Sequence, residues 1–176
     1  EGLIVSSACL GGEISQKIMA GNIAGAEAAA KWYKDLFGED YYLEVMRHPA
    51  TDPKLRTEVY ENQELCIKHI LQIGEKLGIK VIATNDVHFL NEEDAEAHDM
   101  LICLNTRKDV DDPNRMRYTR QEWFKTTSEM VELFKDMPEV IENTQEVADK
   151  VEEYQLDSDP IMPVFPLSLI HISEPT

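Results

Sequence analysis

Three short runs rich in β-branched and aromatic residues constrain this chain most: Leu3-Ile4-Val5-Ser6-Ser7, Tyr41-Tyr42-Leu43-Glu44-Val45-Met46 and Ile79-Lys80-Val81-Ile82-Ala83-Thr84. Helical patterns fill the gaps between them. Glu13 to Met19 predicts a short helix stopped by Gly21, and Asn22 predicts the cap of an Ala-rich helix from Ile23 to Phe37, closed by Gly38. Pro49 and Pro53 mark a loop. From Lys54 to Leu77, Val59, Leu65, Ile67, Ile70, Leu71 and Ile73 recur at helical spacing, and Gly78 ends the run. Strands that alternate with helices at this spacing predict parallel βαβ units, because a parallel neighbour needs a crossover that a tight turn cannot supply. The expected fold class is α/β.

After Asn85 the pattern changes. Asn91 predicts the cap of a helix reaching Leu104, with Glu92, Glu93 and Asp94 in the first turn, where the helix dipole favours acids. A polar stretch from Arg107 to Arg120 predicts an exposed loop with five basic residues, Arg107, Lys108, Arg115, Arg117 and Arg120. Ser128 predicts the cap of a short helix through Phe134, and Pro138 opens a last helix ending near Glu153. Pro160, Pro163 and Pro166 read as a linker. The final LSLIHISEPT reads as translated sequencing-adapter read-through and is set aside, His171 with it.

Hydrophobic residues at 43% and charged residues at 29% fit a globular protein. Acids outnumber bases 34 to 17, a net charge of -17, which argues against nucleic-acid binding through a broad basic face. No apolar run approaches the roughly 18 residues of a membrane span, so no membrane role is expected. Cys9, Cys66 and Cys103 are odd in number and widely spaced, which predicts no disulfide framework and a reducing, cytoplasmic location. The chain opens on Glu1 within a strand-like run without a signal peptide, and an internal fragment is expected.

Asp86-Val87-His88 lies just past the third strand. A carboxylate and an imidazole two residues apart in extended chain can share a cation, and both suit Zn, Mn or Fe. The alternative is a capping Asp and a partly buried His. Cys9 falls at the same end of the first strand, either as a soft ligand or as a small buried hydrophobe. Cys66 and Cys103 read as core. Glu44, inside an apolar strand, must find a partner or point to solvent. His48 is expected on a surface loop, with a supporting or ligand role as the alternative; His98 either leans on the Asp86 site or pairs with a nearby acid; and His69 is expected to be exposed. Gly11-Gly12 reads as a turn, and no Walker loop or GxSxG elbow is present.

Four segments together resemble one family: GLIVSSACLGGEI, YYLEVMRH, GIKVIATNDVHFLNEEDAEAHDMLICL and SEMVELFKDMPEVIENTQEVADKV. They look like the bacterial replicative DNA polymerase III alpha subunits, over the second half of the polymerase-and-histidinol-phosphatase (PHP) domain and the start of the segment toward the palm. The likeness runs from about Gly2 to Pro166. It implies part of a distorted PHP-type (β/α) barrel over residues 1–105, a helical extension over 106–160, and a linker with a non-native tail over 161–176. Cys9, Asp86 and His88 coincide with the family's last three metal-ligand positions, which implies divalent cations (Zn, Mn or Mg). In some relatives such a site has 3′–5′ exonuclease activity; in others the domain only braces the polymerase or binds a proofreading exonuclease subunit. The sliding clamp, the clamp loader, and DNA held by other domains are the further partners implied. The family's HxH motif and its polymerase carboxylates are absent from the sequence, so the fragment is expected to be inactive alone, to hold an incomplete metal site, and to expose open strand edges. A free-standing phosphoesterase similar to histidinol phosphatase is the alternative.

Overall fold

The computed structural model describes residues 2–155, 157 and 159–161. Pro163, Pro166 and the Leu167–Thr176 tail lie outside the described residues. Three strands form one parallel sheet in the order β1 (Val5–Ser6), β2 (Tyr41–Val45), β3 (Val81–Ala83). The register pairs Val5 with Tyr41, and Leu43, Glu44 and Val45 with Val81, Ile82 and Ala83. The parallel α/β arrangement expected from the sequence is present, with strands shorter than the apolar runs that announced them.

Helices α1 (Glu13–Met19) and α2 (Ile23–Phe37) cross from β1 to β2. Asn22 caps α2 through its side-chain oxygen, which accepts from the Gly25 amide at 2.9 Å. The next crossover begins with one turn, α3 (Pro53–Leu55), passes through a π turn at Arg56–Tyr60, and continues as α4 (Glu61–Leu77). The single long helix expected from Lys54 is thus interrupted: in a π turn the hydrogen bonds reach one residue further and shift the face presented. Central strand β2 is buried on both sides, with Tyr41, Tyr42, Leu43 and Val45 at 2% exposure or less. Ile14 and Ile18 of α1, Ala26 and Ala30 of α2, and Ile67, Ile70 and Ile73 of α4 complete this core. Gly74 allows α4 to lie close to the sheet, since a Cβ there would stand 2.8 Å from the Ile79 carbonyl oxygen.

Asn91 and Asp94 form a capping box over a 3-10 turn, Glu92–Asp94, that leads into α5 (Ala95–Thr106). Helices α6 (Thr127–Leu133) and α7 (Glu139–Asp149) follow. Ser128 does not cap α6. Thr126 does, because Glu129, three residues on, can return the bond to the Thr126 amide. Phe134 and Val140, at 0% and 2% exposure, join the same core as the sheet, so the segment after residue 106 is packed onto the first. Arg47 ties the two parts, bonding Glu64 of α4, the Leu133 carbonyl and Asp136.

The far edge of β3 is not open. Helix α7 lies along it: Asn143 donates to the Val81 carbonyl at 2.9 Å, and the Thr144 hydroxyl accepts from the Ala83 amide at 3.0 Å. Side chains do here what a neighbouring strand would do, which corrects the expectation of an exposed edge on this side. Among the described residues, no helix is long and apolar enough to cross a membrane.

Candidate metal and phosphate site

The three strands deliver Cys9, His48, Asp86 and His88 to the same end of the sheet. The turn after β1 is tight: Ala8 has φ 61°, and a Cβ on Gly12 would fall 2.2 Å from the Ser7 carbonyl oxygen. That geometry presents Cys9 at the strand end, half-buried and not paired in a disulfide. Asp86 is also left-handed, with φ 45°. It caps no helix, since the next one starts at Glu92, and both Asp86 and His88 are exposed. Of the alternative of a capping Asp and a partly buried His, the capping half does not describe this rim, while the His88 side chain is 33% exposed. The Nε2 of His88 lies 3.5 Å from Asp86 Oδ1.

Cys9 and Asp86 line one cavity of about 190 Å³, together with Met46, His48, Tyr118 and Glu122. Tyr118 packs its ring against His88 at 4.5 Å and His98 at 5.1 Å between centroids, so His98 does lean on this rim. Burial, and then the nearby Asp86, Glu122 and Cys9, push the Tyr118 hydroxyl up. Glu44 finds partners on both sides, accepting hydrogen bonds from Ser6 and from Thr84, and so joins all three strands.

His48 corrects the expectation of a surface loop residue: it is 3% exposed. Its backbone amide donates to Gln63 Oε1 at 2.7 Å, which orients that amide group so that Gln63 Nε2 donates to His48 Nδ1 at 3.1 Å. His48 Nε2–H then donates to the Asn85 carbonyl at 3.1 Å. These partners fit a neutral imidazole, and burial pushes its pKa down despite Glu122 at 3.6 Å. Glu122 is itself buried, held by the Thr119 and Gln121 amides at 3.1 and 2.9 Å. His69 is half-buried rather than exposed, and its Nδ1 is buried with no partner among the described residues. Cys66 and Cys103 are buried, as expected.

The segment 107–120 is not uniformly exposed. Arg115 is 8% exposed and grips Asp99 of α5 with two bonds, at 2.5 and 2.7 Å. At the base of the loop the chain pairs with itself, the His88 amide donating to the Glu122 carbonyl at 2.8 Å and Phe124 to Phe89 at 3.1 Å. Sequence reasoning did not find Glu122, Tyr118 or Gln63. Their role comes from this long-range closure, and no local spacing announces it.

Thiol, carboxylate and imidazole are chemically suited to a borderline divalent cation. Two of the three face one cavity and the third adjoins one of those two, so the donors fit as part of a ligand set. Among the described residues, no three His, Cys, Asp or Glu side chains converge at ligating distance.

The PHP domain family matches residues 1–48. The DNA polymerase III subunit alpha of Borreliella burgdorferi is 36% identical over 93% of this chain and 14% of its own length. That of Campylobacter jejuni is 42% identical over 85% of this chain, and that of Helicobacter pylori 34% identical over 96%. The chain therefore spans about one-seventh of the length of the relatives it matches. The chain is thus similar to DNA polymerase III alpha subunits over most of its own length, and to the PHP domain over residues 1–48.

Proposed function

We propose that this chain supplies one side of a divalent-metal rim in the PHP region of a replicative DNA polymerase. Cys9, Asp86 and His88 are the donors, and phosphodiester hydrolysis in the 3′–5′ direction is the reaction. The observation that carries the reading is the meeting of Cys9 and Asp86 on one cavity wall, with His88 3.5 Å from Asp86. A cation of the Zn, Mn or Mg class, when bound, would acidify a coordinated water and offset charge on phosphate oxygens. The chain's own residues present the donors on two left-handed turns, and the ring of Tyr118 walls the rim beside His88. The parent protein would be a DNA-directed DNA polymerase acting in the cytoplasm. It would hold DNA through other domains and work with a proofreading exonuclease, a sliding clamp and a clamp loader.

A bracing role is the second reading. Glu44 favours it, since one carboxylate joins three strands through Ser6 and Thr84. The names of the relatives give no support to a free-standing phosphoesterase. Metal content and nuclease activity, measured on the intact PHP region and on its Asp86→Asn variant, test the proposal. Metal lost in the variant supports Asp86 as a donor, and equal content in both removes it. Bound metal without cleavage of a labelled single strand favours bracing.

A further inference from the structure

Two arginines stand out in a chain of net charge -17. Among the described residues, neither Arg117 nor Arg120 is hydrogen-bonded or ion-paired through its side chain, although most basic groups around them are paired: Lys108 with Asp112, Arg115 with Asp99, and Lys54 with Glu58. Both are exposed and both line a cavity of about 270 Å³, with Thr51, Asp52, Asp99 and Tyr118. Arg117 also lines the rim cavity that holds Cys9 and Asp86, so it stands at the border of the two.

The carboxylates nearby are already engaged. Asp99 gives both oxygens to Arg115; these bonds, ahead of the more distant charges of Arg120 and Arg117, hold its carboxyl below the usual range. Asp52 accepts from the Lys54 and Leu55 amides at 2.9 and 3.0 Å as the cap of α3, and offsets part of the positive charge across the cavity. The loop is also fixed. Arg115 anchors it to α5 and to the Val110 carbonyl at 2.9 Å, and the pairing of His88–Phe89 with Glu122–Phe124 closes its base. Two unpaired guanidinium groups on a braced loop suit a doubly coordinated oxyanion, which arginine recognises with a planar fork of donors.

We propose that Arg117 and Arg120 form a phosphate subsite that takes a backbone phosphodiester of single-stranded DNA beside the rim. The strand as ligand rests on the hydrolytic reading above; the phosphate chemistry does not. Arg117, shared by both cavities, would position the strand relative to Asp86 and is a positioning residue for cleavage.

The test is fluorescence anisotropy of a labelled single-stranded oligonucleotide with the chain, in chelator, so that the outcome does not depend on the metal site. The Arg117→Gln/Arg120→Gln double variant is expected to bind about tenfold more weakly. Its salt dependence should flatten by about 1.4 in log–log slope, the share of two phosphate contacts on a single strand. Circular dichroism confirms that the variant is folded. The control Lys17→Gln/Lys31→Gln removes two charges from α1 and α2, and should bind as the parent does. A second oligonucleotide should displace the first at far lower concentration than inorganic phosphate. Unchanged affinity in the arginine variant, an equal loss in the lysine control, or displacement by phosphate as readily as by DNA overturns the proposal.

Discussion

The hydroxyl of Thr144 on α7 sits against the free edge of Ala83, accepting from its amide at 3.0 Å and lying 3.1 Å from its carbonyl oxygen. The same hydroxyl lies 2.8 Å from the Val140 carbonyl, so one proton serves two acceptors. Ala83 is buried, and no solvent would replace the partner. Thr144→Val should therefore cost about 1–2 kcal/mol, the penalty for a buried amide left unpaired. Thr144→Ser should be nearly neutral. Urea denaturation midpoints of the two variants check this.

Gly74→Ala tests the closeness of α4 to the sheet. Alanine should favour a helix interior by about 1 kcal/mol over glycine. Here its methyl would meet the Ile79 oxygen at 2.8 Å and a Val81 methyl at 2.9 Å. Crowding of this kind costs about 1–3 kcal/mol, so the net effect should be destabilising. An unchanged or raised thermal midpoint would show that the helix can back away freely.

Acid should weaken the fold through His48. Burial holds its pKa below the value of about 6.5 that the unfolded chain would have. The unfolded state then binds more protons as pH drops below about 6.5, and stability falls until the folded imidazole also titrates. The urea midpoint should decline from pH 7.5 to 5.5 in the parent and decline less in His48→Gln. Parallel slopes would mean that another group carries the effect.

Lys125 should behave as an unusually nucleophilic amine. Burial pulls it down to about 8, against the opposing charges of Glu122 and Glu129, while its ammonium lies 3.4 Å over the Trp123 ring. At pH 8 about half of it is neutral, when ordinary lysines are almost wholly charged. A limiting dose of an amine-acylating reagent should mark Lys125 first, as read by peptide mapping. The same shift makes the unfolded chain the stronger proton binder between about pH 8 and 10.4, so stability contributed by this group rises with pH across that window.

The sheet was legible because each strand is a compact apolar run bounded by glycine or a helix signal, and because Asn22, Gly38 and Gly78 mark ends by local chemistry alone. The cap of α6 falls within Thr126-Thr127-Ser128, where three hydroxyls compete and only Thr126, not the expected Ser128, has its Glu at the reciprocal position. His48 departs from the expected surface loop for a different reason. Its burial is made by Gln63, Asn85 and Glu122, which arrive from three separate stretches, so nothing beside it in the chain announces a closed environment. Arg115 follows the same rule: a polar loop reads as exposed until Asp99 is known to lie beneath it. For Cys9, Asp86 and His88, strand-end position was readable from spacing, whereas the wall that Tyr118 and Glu122 add was not.

Ala8 and Asp86 both hold a backbone twist that residues with a side chain disfavour, and each sits at or next to a proposed donor. Such conformers survive only while rigid surroundings enforce them. The shape of the rim is thus an output of the packed interior beneath it. Loosening Ile14 or Ile70, neither of them a donor, should let those two corners relax toward ordinary extended chain before the sheet itself comes apart.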